Sequence, residues 1–223
     1  MQITLLLPFF AVYLGASVAL YLHAKKIFDI KLVLAFSGSF LLSILVIHSL
    51  PDLFKDSSKN PGLWIMVGIV FQILLELFSG GVEHGHTHIN KNNKISWLLI
   101  LSLCIHAFAE GMPLSNQPEL LIGIIVHKFS IGMVISILLW EIKTNLLKKL
   151  IALFIFATMT TLGSLVEESL LKYENITIII NAFVIGMLFH ISTTILFESY
   201  AGHVFNFRKF IAILSGVIIA TLL

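Results

Sequence analysis

His106 and Glu110 are the residues whose types and spacing most directly suggest chemistry. They stand four apart in the run Cys104-Ile105-His106-Ala107-Phe108-Ala109-Glu110-Gly111-Met112-Pro113. Residues four apart lie on one face of an α-helix, which places the imidazole and the carboxylate side by side. Together they form a suitable ligand pair for a divalent transition metal. The alternative interpretation is that the two side chains simply pair with each other and hold helices together.

Pro113 adds to the metal interpretation. A proline has no N–H, so Pro113 does not donate to the carbonyl of Ala109. The sequence therefore predicts a loosened helix around His106 and Glu110. The freed carbonyl would have to face protein or water rather than lipid.

A second ligand-type group follows at His127-Lys128. The connection between the two apolar runs is short, from Ser115 to Glu119, which predicts antiparallel neighbouring helices. His127 and His106 stand at similar distances from this connection, so both are expected at a similar depth. The alternative is that His127 is a membrane histidine that merely hydrogen-bonds across helices.

The composition places these residues in a membrane protein. Of the 223 residues, 58% are apolar and 12% are charged, whereas a soluble domain has roughly 25% charged residues. A net charge of +2 is too small for nucleic-acid binding. The single cysteine, Cys104, excludes a disulfide framework and a cysteine zinc cage. Because no basic residue precedes the first apolar segment, that segment is expected to be retained in the protein.

The apolar stretches predict an all-α integral membrane protein with eight transmembrane helices. A crossing needs roughly 20 apolar residues. The predicted crossings are Ile3 to His23, Leu32 to Leu53, Gly62 to Ser79, Ile95 to Leu114, Leu120 to Trp140, Leu146 to Val166, Ile176 to Phe197 and Phe205 to Leu223. The connections are short, so residues 1–223 form a single transmembrane domain with a histidine-containing loop at 80–94.

The basic residues predict an orientation. Most Lys and Arg side chains flank the first, third, fifth and seventh connections, and positively charged connections face the cytosol. Both termini are therefore expected outside the cell and residues 80–94 in the cytosol. The host membrane is predicted to be a plasma membrane or a bacterial inner membrane.

Three motifs resemble those of the ZIP (Zrt/Irt-like) metal transporters. The run from His106 to Gly111 is similar to the fourth-helix motif His-Asn-x-x-Asp/Glu-Gly. His127-Lys128 resembles the fifth-helix start of one subgroup, and His48-Ser49-Leu50-Pro51-Asp52 resembles the second-helix His-x-x-Pro-Asp/Glu signature. The resemblance implies an eight-helix bundle that carries divalent cations into the cytosol. It also implies two helix groups that move past each other in an elevator-like step, with His106, Glu110 and His127 as metal ligands.

The departures from the family pattern matter for the site. Ala107 replaces the usual asparagine, Lys128 stands where many members have an acidic residue, and Ile131 occupies the position of the last fifth-helix ligand. The second metal of a two-metal centre is therefore expected to be absent. The ammonium of Lys128 would either pair with Glu110 or weaken metal binding by repulsion, and the sequence leaves both open.

Other polar residues are weaker candidates. His48 and Asp52 would collect cations at the entrance or would simply end a helix at the interface. Two further polar sets would either line a pathway or hold the bundle together: Gln72 with Glu76, and His190 with Thr194 and Glu198. For Glu198, ordinary solvation is the favoured interpretation. The loop histidines would capture zinc weakly or belong to a tolerant linker; they are His84, His86 and His88. Glu167 and Glu168 are expected to be hydrated at an outward rim.

The leading hypothesis is a transporter, not an enzyme, whose substrate is a divalent metal, Zn²⁺ first and Fe²⁺, Mn²⁺, Co²⁺ or Cd²⁺ as further options. No permanently bound cofactor is expected. The partners are the metal and the lipid bilayer, with a homodimer as one option. Two alternatives belong to other classes: an intramembrane zinc-dependent hydrolase, and a haem-bearing electron carrier with His106 and His127 as axial ligands.

Overall fold

The computed structural model describes residues 4–25, 29–55, 60–80, 97–114, 117–170, 173–198 and 206–223. Within these ranges the regular structure is helical throughout, and a short 3₁₀ turn, Thr4–Leu6, precedes the first helix. The helices are α1 (Leu7–Lys25), α2 (Ile30–Ile44), α3 (Leu50–Phe54), α4 (Pro61–Ser79), α5 (Trp97–Gly111), α6 (Pro118–Glu141), α7 (Leu146–Leu170), α8 (Glu174–Glu198) and α9 (Phe207–Thr221).

The protein is an all-α, multi-pass membrane protein. Six of the described stretches are long and apolar enough to cross a bilayer: Thr4–Leu22, Ile30–Phe54, Pro61–Ser79, Pro118–Glu141, Leu146–Glu167 and Asn175–Phe197. Large apolar side chains on their outer faces are exposed, as at Leu77 with 75% exposure, which suits contact with lipid. The helices α5 and α9, which lie in the fourth and eighth predicted crossings, have 15 residues each. Eight crossings therefore stay a prediction.

The second predicted crossing is made of α2 and α3, joined by a π-helical turn. This turn covers Leu45–Ser49, directly before Pro51 in the first turn of α3. Proline removes one backbone donor, and a wider turn accommodates the interruption without ending the crossing. His48 lies inside the turn. Pro51 therefore goes with a local widening of the helix and not with its end.

The end of α5 differs from the sequence prediction. The helix stops at Gly111, and the carbonyl of Ala109 accepts a hydrogen bond from the N–H of Met112 at 3.0 Å. Pro113 follows in a turn beyond the helix. The prediction of a freed carbonyl at Ala109 is therefore wrong. Pro113 lies past the end of α5, and the tight turn there supplies the carbonyl with another donor.

Glycines bring α5 and α7 into backbone contact. A Cβ atom at Gly111 of α5 would fall on the carbonyl oxygen of Thr160, and one at Gly163 of α7 would fall on that of Phe108. Small residues let membrane helices approach this closely. Reciprocal glycine contacts of the same kind join α1 to α6, at Gly15 and Gly132, and α4 to α8, at Gly68 and Gly186.

We divide these close pairs into two helix groups, and the contact of α2 with α6 across the division is more extensive than that of α7 with α1 inside the first group. In the first helix group, α7 packs on α1 and so links the α5–α7 pair to the α1–α6 pair. In the second helix group, α2 packs along α9 and α8, and α8 packs along α4. The two groups meet where α2 packs on α6 and α4 packs on α5. At the former contact, a Cβ atom on Gly123 would meet side-chain atoms of Leu41 and Ile44 rather than backbone. Close backbone contact at the described glycines thus joins helices in pairs, and it links neither the two groups nor the two pairs of the first group.

Candidate metal-binding site

The three predicted ligands converge inside the bundle. On α5, His106 Nε2 lies 3.1 Å from Glu110 Oε2, and His127 of α6 brings its Nε2 to 3.9 Å from the same oxygen. One ligand atom from each residue lies within 4.8 Å of the other two. The residues are 2%, 0% and 1% exposed, respectively. The arrangement places two imidazole nitrogens and one carboxylate oxygen around a common point.

The distances are close to those of a tetrahedral metal centre. With zinc–ligand bonds of about 2.0 to 2.1 Å, neighbouring ligand atoms in a tetrahedron are about 3.3 Å apart. The separation of 3.1 Å between His106 Nε2 and Glu110 Oε2 already matches this value. The separation of 3.9 Å from His127 needs only a small shift of the side chain. Three protein ligands leave the fourth position for water or another group.

Lys128 is the fourth charged or titratable member of the cluster. Its ammonium forms an ion pair with Glu110 Oε1 and lies 4.2 Å from the ring centroid of Phe156. The lysine is 1% exposed. Of the two roles left open by the sequence, the pairing with Glu110 is therefore present in the structure. The same geometry also keeps a positive charge beside the proposed metal position.

Thr160 of α7 fixes the orientation of the carboxylate. Its hydroxyl donates a hydrogen bond to Glu110 Oε1 at 3.2 Å. Because Oε1 thus receives both Lys128 and Thr160, Oε2 is the oxygen that faces the two imidazoles. Sequence reasoning missed Thr160, since a threonine in a helix ordinarily bonds back to a carbonyl of its own helix. Thr158 does so, with Phe154 and Ile155.

Gln72 approaches the site from α4. Its side chain is fully buried, and its Oε1 lies 3.1 Å from His106 Nδ1. The sequence placed Gln72 beside Glu76 on one helix face, with no link to His106. No local signal could have made that link, because the two residues are 34 positions apart and lie on crossings that are joined by the long connection at 80–94.

The helices α5 and α6, predicted to be neighbours, meet through the side chains of Glu110, His127 and Lys128 rather than through extensive backbone packing. The main packing partners of α5 are α7 and α4, and those of α6 are α1 and α2. The rings of His106 and His127, with centroids 6.2 Å apart, meet across the remaining space. The two helices are thus neighbours at the site, while their backbones pack mainly on other helices because the glycine contacts draw α5 onto α7 and α6 onto α1.

The remaining pathway candidates lie apart from this cluster. His190 Nε2 and Glu76 Oε2 are 2.8 Å apart and join α8 to α4, with side chains 19% and 25% exposed. Asp52 pairs with Lys55 at 2.6 Å, on the exposed surface. Among the described residues, His48 and Asp52 belong to no group of three or more ligand-type side chains. Glu198 ends α8, but its side chain lies outside the described residues, as do His84, His86 and His88 of the predicted capture loop.

Glu167 differs from its predicted hydrated position. The residue lies on α7 and is 1% exposed. The sequence places it near the end of a crossing, but α7 continues to Leu170, so Glu167 is still inside the helix and covered by its neighbours. The prediction of a hydrated Glu167 is therefore wrong. The side chain of Glu168 lies outside the described residues.

In comparisons with known proteins, no protein-family model and no curated protein matches the chain.

Proposed function

We propose that the protein carries a divalent metal cation across the membrane through the His106, Glu110 and His127 site, with zinc as the preferred substrate. The single observation that supports this most strongly is the convergence of the three ligand atoms within 4.8 Å, buried in a multi-pass bundle. Ionisable groups inside a membrane are costly and mark functional sites. Imidazole and carboxylate ligands suit zinc, and the affinity order favours zinc over iron and manganese.

The charges around Glu110 support a carrier that binds its substrate reversibly. Without a metal, the ammonium of Lys128 compensates the carboxylate. A bound dication gains the ligand atoms but must share Glu110 with that ammonium, which weakens the binding. Metal entry also requires neutral imidazoles and therefore displaces protons from any that are protonated. A site of moderate affinity suits release on the far side of the membrane.

The two helix groups support a mechanism in which the site moves. All three ligands belong to α5 and α6 of the first helix group, in which glycine contacts join α5 to α7 and α6 to α1. The second helix group has glycine contacts of its own between α4 and α8. We propose that the first group carries the metal past the second, as the resemblance to ZIP transporters implies. Membership of that family is part of the proposal, with transport directed into the cytosol and both termini outside.

Zinc flux into proteoliposomes tests the proposal. Wild-type protein is expected to carry Zn²⁺, whereas His106→Ala and Glu110→Ala are expected to abolish most of the flux because each removes a ligand. Lys128→Glu is expected to change the concentration dependence by adding a carboxylate at the site. Glu119→Ala is the matched control, since Glu119 lies in the first turn of α6, away from the cluster.

Two outcomes would contradict the proposal. If His106→Ala, Glu110→Ala and Lys128→Glu all carry zinc like the wild type, the proposed site is wrong. If the wild type binds zinc tightly without transporting any divalent cation, the hydrolase alternative gains support, and the next measurement is cleavage of a membrane-embedded substrate.

A further inference from the structure

The hydrogen bond between Gln72 and His106 joins the two helix groups at the site. Gln72 belongs to α4 of the second helix group, whereas His106 belongs to α5 of the first. The contact is buried on both sides, with exposures of 0% and 2%. A polar side chain with this burial needs a specific partner, and His106 Nδ1 lies at hydrogen-bond distance from its Oε1.

The chemistry of the amide determines which nitrogen of His106 faces the metal position. An amide oxygen only accepts hydrogen bonds, so Nδ1 must carry the proton that it donates. In a neutral imidazole the other nitrogen, Nε2, then bears the lone pair. Nε2 is the atom that lies 3.1 Å from Glu110 Oε2. Gln72 therefore holds the ring in the tautomer and the orientation that a metal requires.

We propose that Gln72 is a positioning residue whose contact makes the affinity of the site depend on how the two helix groups are arranged. Metal-bound histidines donate their second N–H to an acceptor that fixes the ring, and loss of the acceptor typically lowers metal affinity 10- to 100-fold. Here the acceptor is on the helix group that does not carry the ligands. A displacement of the first group by one helical turn, about 5.4 Å, would break the bond.

The consequence for transport is a change of affinity along the path. In the arrangement described here, His106 is held with Nε2 toward Glu110, which gives the site a higher metal affinity than in the displaced arrangement. Once the groups are displaced, His106 loses its Gln72 acceptor and the metal affinity falls, which promotes release. This inference rests on the proposed function, since it concerns the same metal site.

Zinc binding to the purified full chain in lipid nanodiscs tests the inference. Gln72→Leu is expected to lower the affinity for Zn²⁺ 10- to 100-fold. Gln72→Glu keeps an oxygen acceptor and is expected to stay within about threefold of the wild type on the same reasoning. Gln117→Leu, the same change at the residue before α6, is the matched control and is expected to leave the affinity unchanged.

Two further measurements separate positioning from a merely structural role. In proteoliposomes, Gln72→Leu is expected to raise the half-saturating zinc concentration tenfold or more while the maximal rate stays within about threefold of the wild type. In ¹⁵N-histidine NMR spectra of the zinc-loaded protein, the His106 signal, identified by its loss in His106→Ala, is expected to show the Nδ1–H tautomer in the wild type. Gln72→Leu is expected to lose that preference.

The possible failures are distinguishable. Wild-type zinc affinity in Gln72→Leu, an Nε2–H tautomer in the wild type, or an equal loss of maximal rate and folding in Gln72→Leu and Gln72→Glu would overturn this inference alone. An absence of zinc binding by the wild type would overturn both this inference and the proposed function.

Discussion

Replacing Lys128 by methionine tests the electrostatics of the site most directly. Methionine keeps an unbranched side chain of similar length but removes the charge, so Glu110 loses its ion pair. The carboxylate is fully buried, and removing one partner of a buried ion pair costs about 3 to 5 kcal/mol. We therefore expect metal-free Lys128→Met to melt at a clearly lower temperature than the wild type in detergent, measured by tryptophan fluorescence.

The same substitution is expected to strengthen metal binding. An ammonium on one carboxylate oxygen lies within about 5 Å of a dication on the other oxygen, and their repulsion is about 6 to 7 kcal/mol at an effective dielectric constant of 20. Relaxation of the side chain and nearby water reduce this upper limit. We expect the zinc affinity of Lys128→Met to rise at least tenfold, and saturating zinc to restore much of the lost thermal stability.

Two variants control this prediction. Lys149→Met removes an ammonium that lies over the ring of Trp140 and donates to a neutral carbonyl, so it should change neither zinc affinity nor metal dependence of the melting temperature. Lys128→Met combined with Glu110→Gln should recover metal-free stability, because no uncompensated charge remains. Equal zinc affinity and equal metal-free stability of Lys128→Met and the wild type would refute the electrostatic argument.

Three other predictions follow from the same structure. Zinc uptake is expected to fall as the pH drops from 7.5 to 5, because histidine titrates near pH 6.5 and protons compete with the metal for the imidazoles; a flat pH profile would contradict this. Gly163→Leu is expected to lower stability by about 1 to 3 kcal/mol or more, because its side chain would overlap the backbone at Phe108; Gly62→Leu, where an added Cβ meets nothing within 4 Å, is the control. Asp52→Asn is expected to change the free energy of unfolding by at most about 1 kcal/mol, because its ion pair with Lys55 is exposed; a larger shift of the denaturation midpoint would show a buried role.

The membrane class and most helix positions were predictable because they depend on local sequence. Apolar runs bounded by Pro61 and Gly80 predict α4 to within one residue, Gly62 to Ser79 against Pro61–Ser79. The fourth crossing was predicted less well, as Ile95 to Leu114 against a helix that ends at Gly111. Its apolar run continues beyond Gly111, and hydropathy alone does not show the turn that contains Pro113.

Some residues of the site were likewise predictable from local sequence, and others were not. The spacing of His106 and Glu110 follows from the helical period, and the short connection to α6 indicates the depth of His127. Gln72 and Thr160 reach the cluster from α4 and α7, which are distant in sequence. Their positions depend on which helices pack together. Glycine contacts decide this packing, but a single sequence does not show which helix a given glycine contacts.

The ion pair between Lys128 and Glu110 has a consequence for transport driven by membrane voltage. With neutral imidazoles, the metal-free site carries a positive and a negative charge that cancel, so an empty carrier would return without moving net charge. A loaded carrier would move two positive charges, and each charge gains about 2.3 kcal/mol per 100 mV across the full field. An electrically negative cell interior would thus favour inward movement of the loaded form and would not act on the net charge of the empty form. The voltage alone would then drive the proposed import, without a second transported ion.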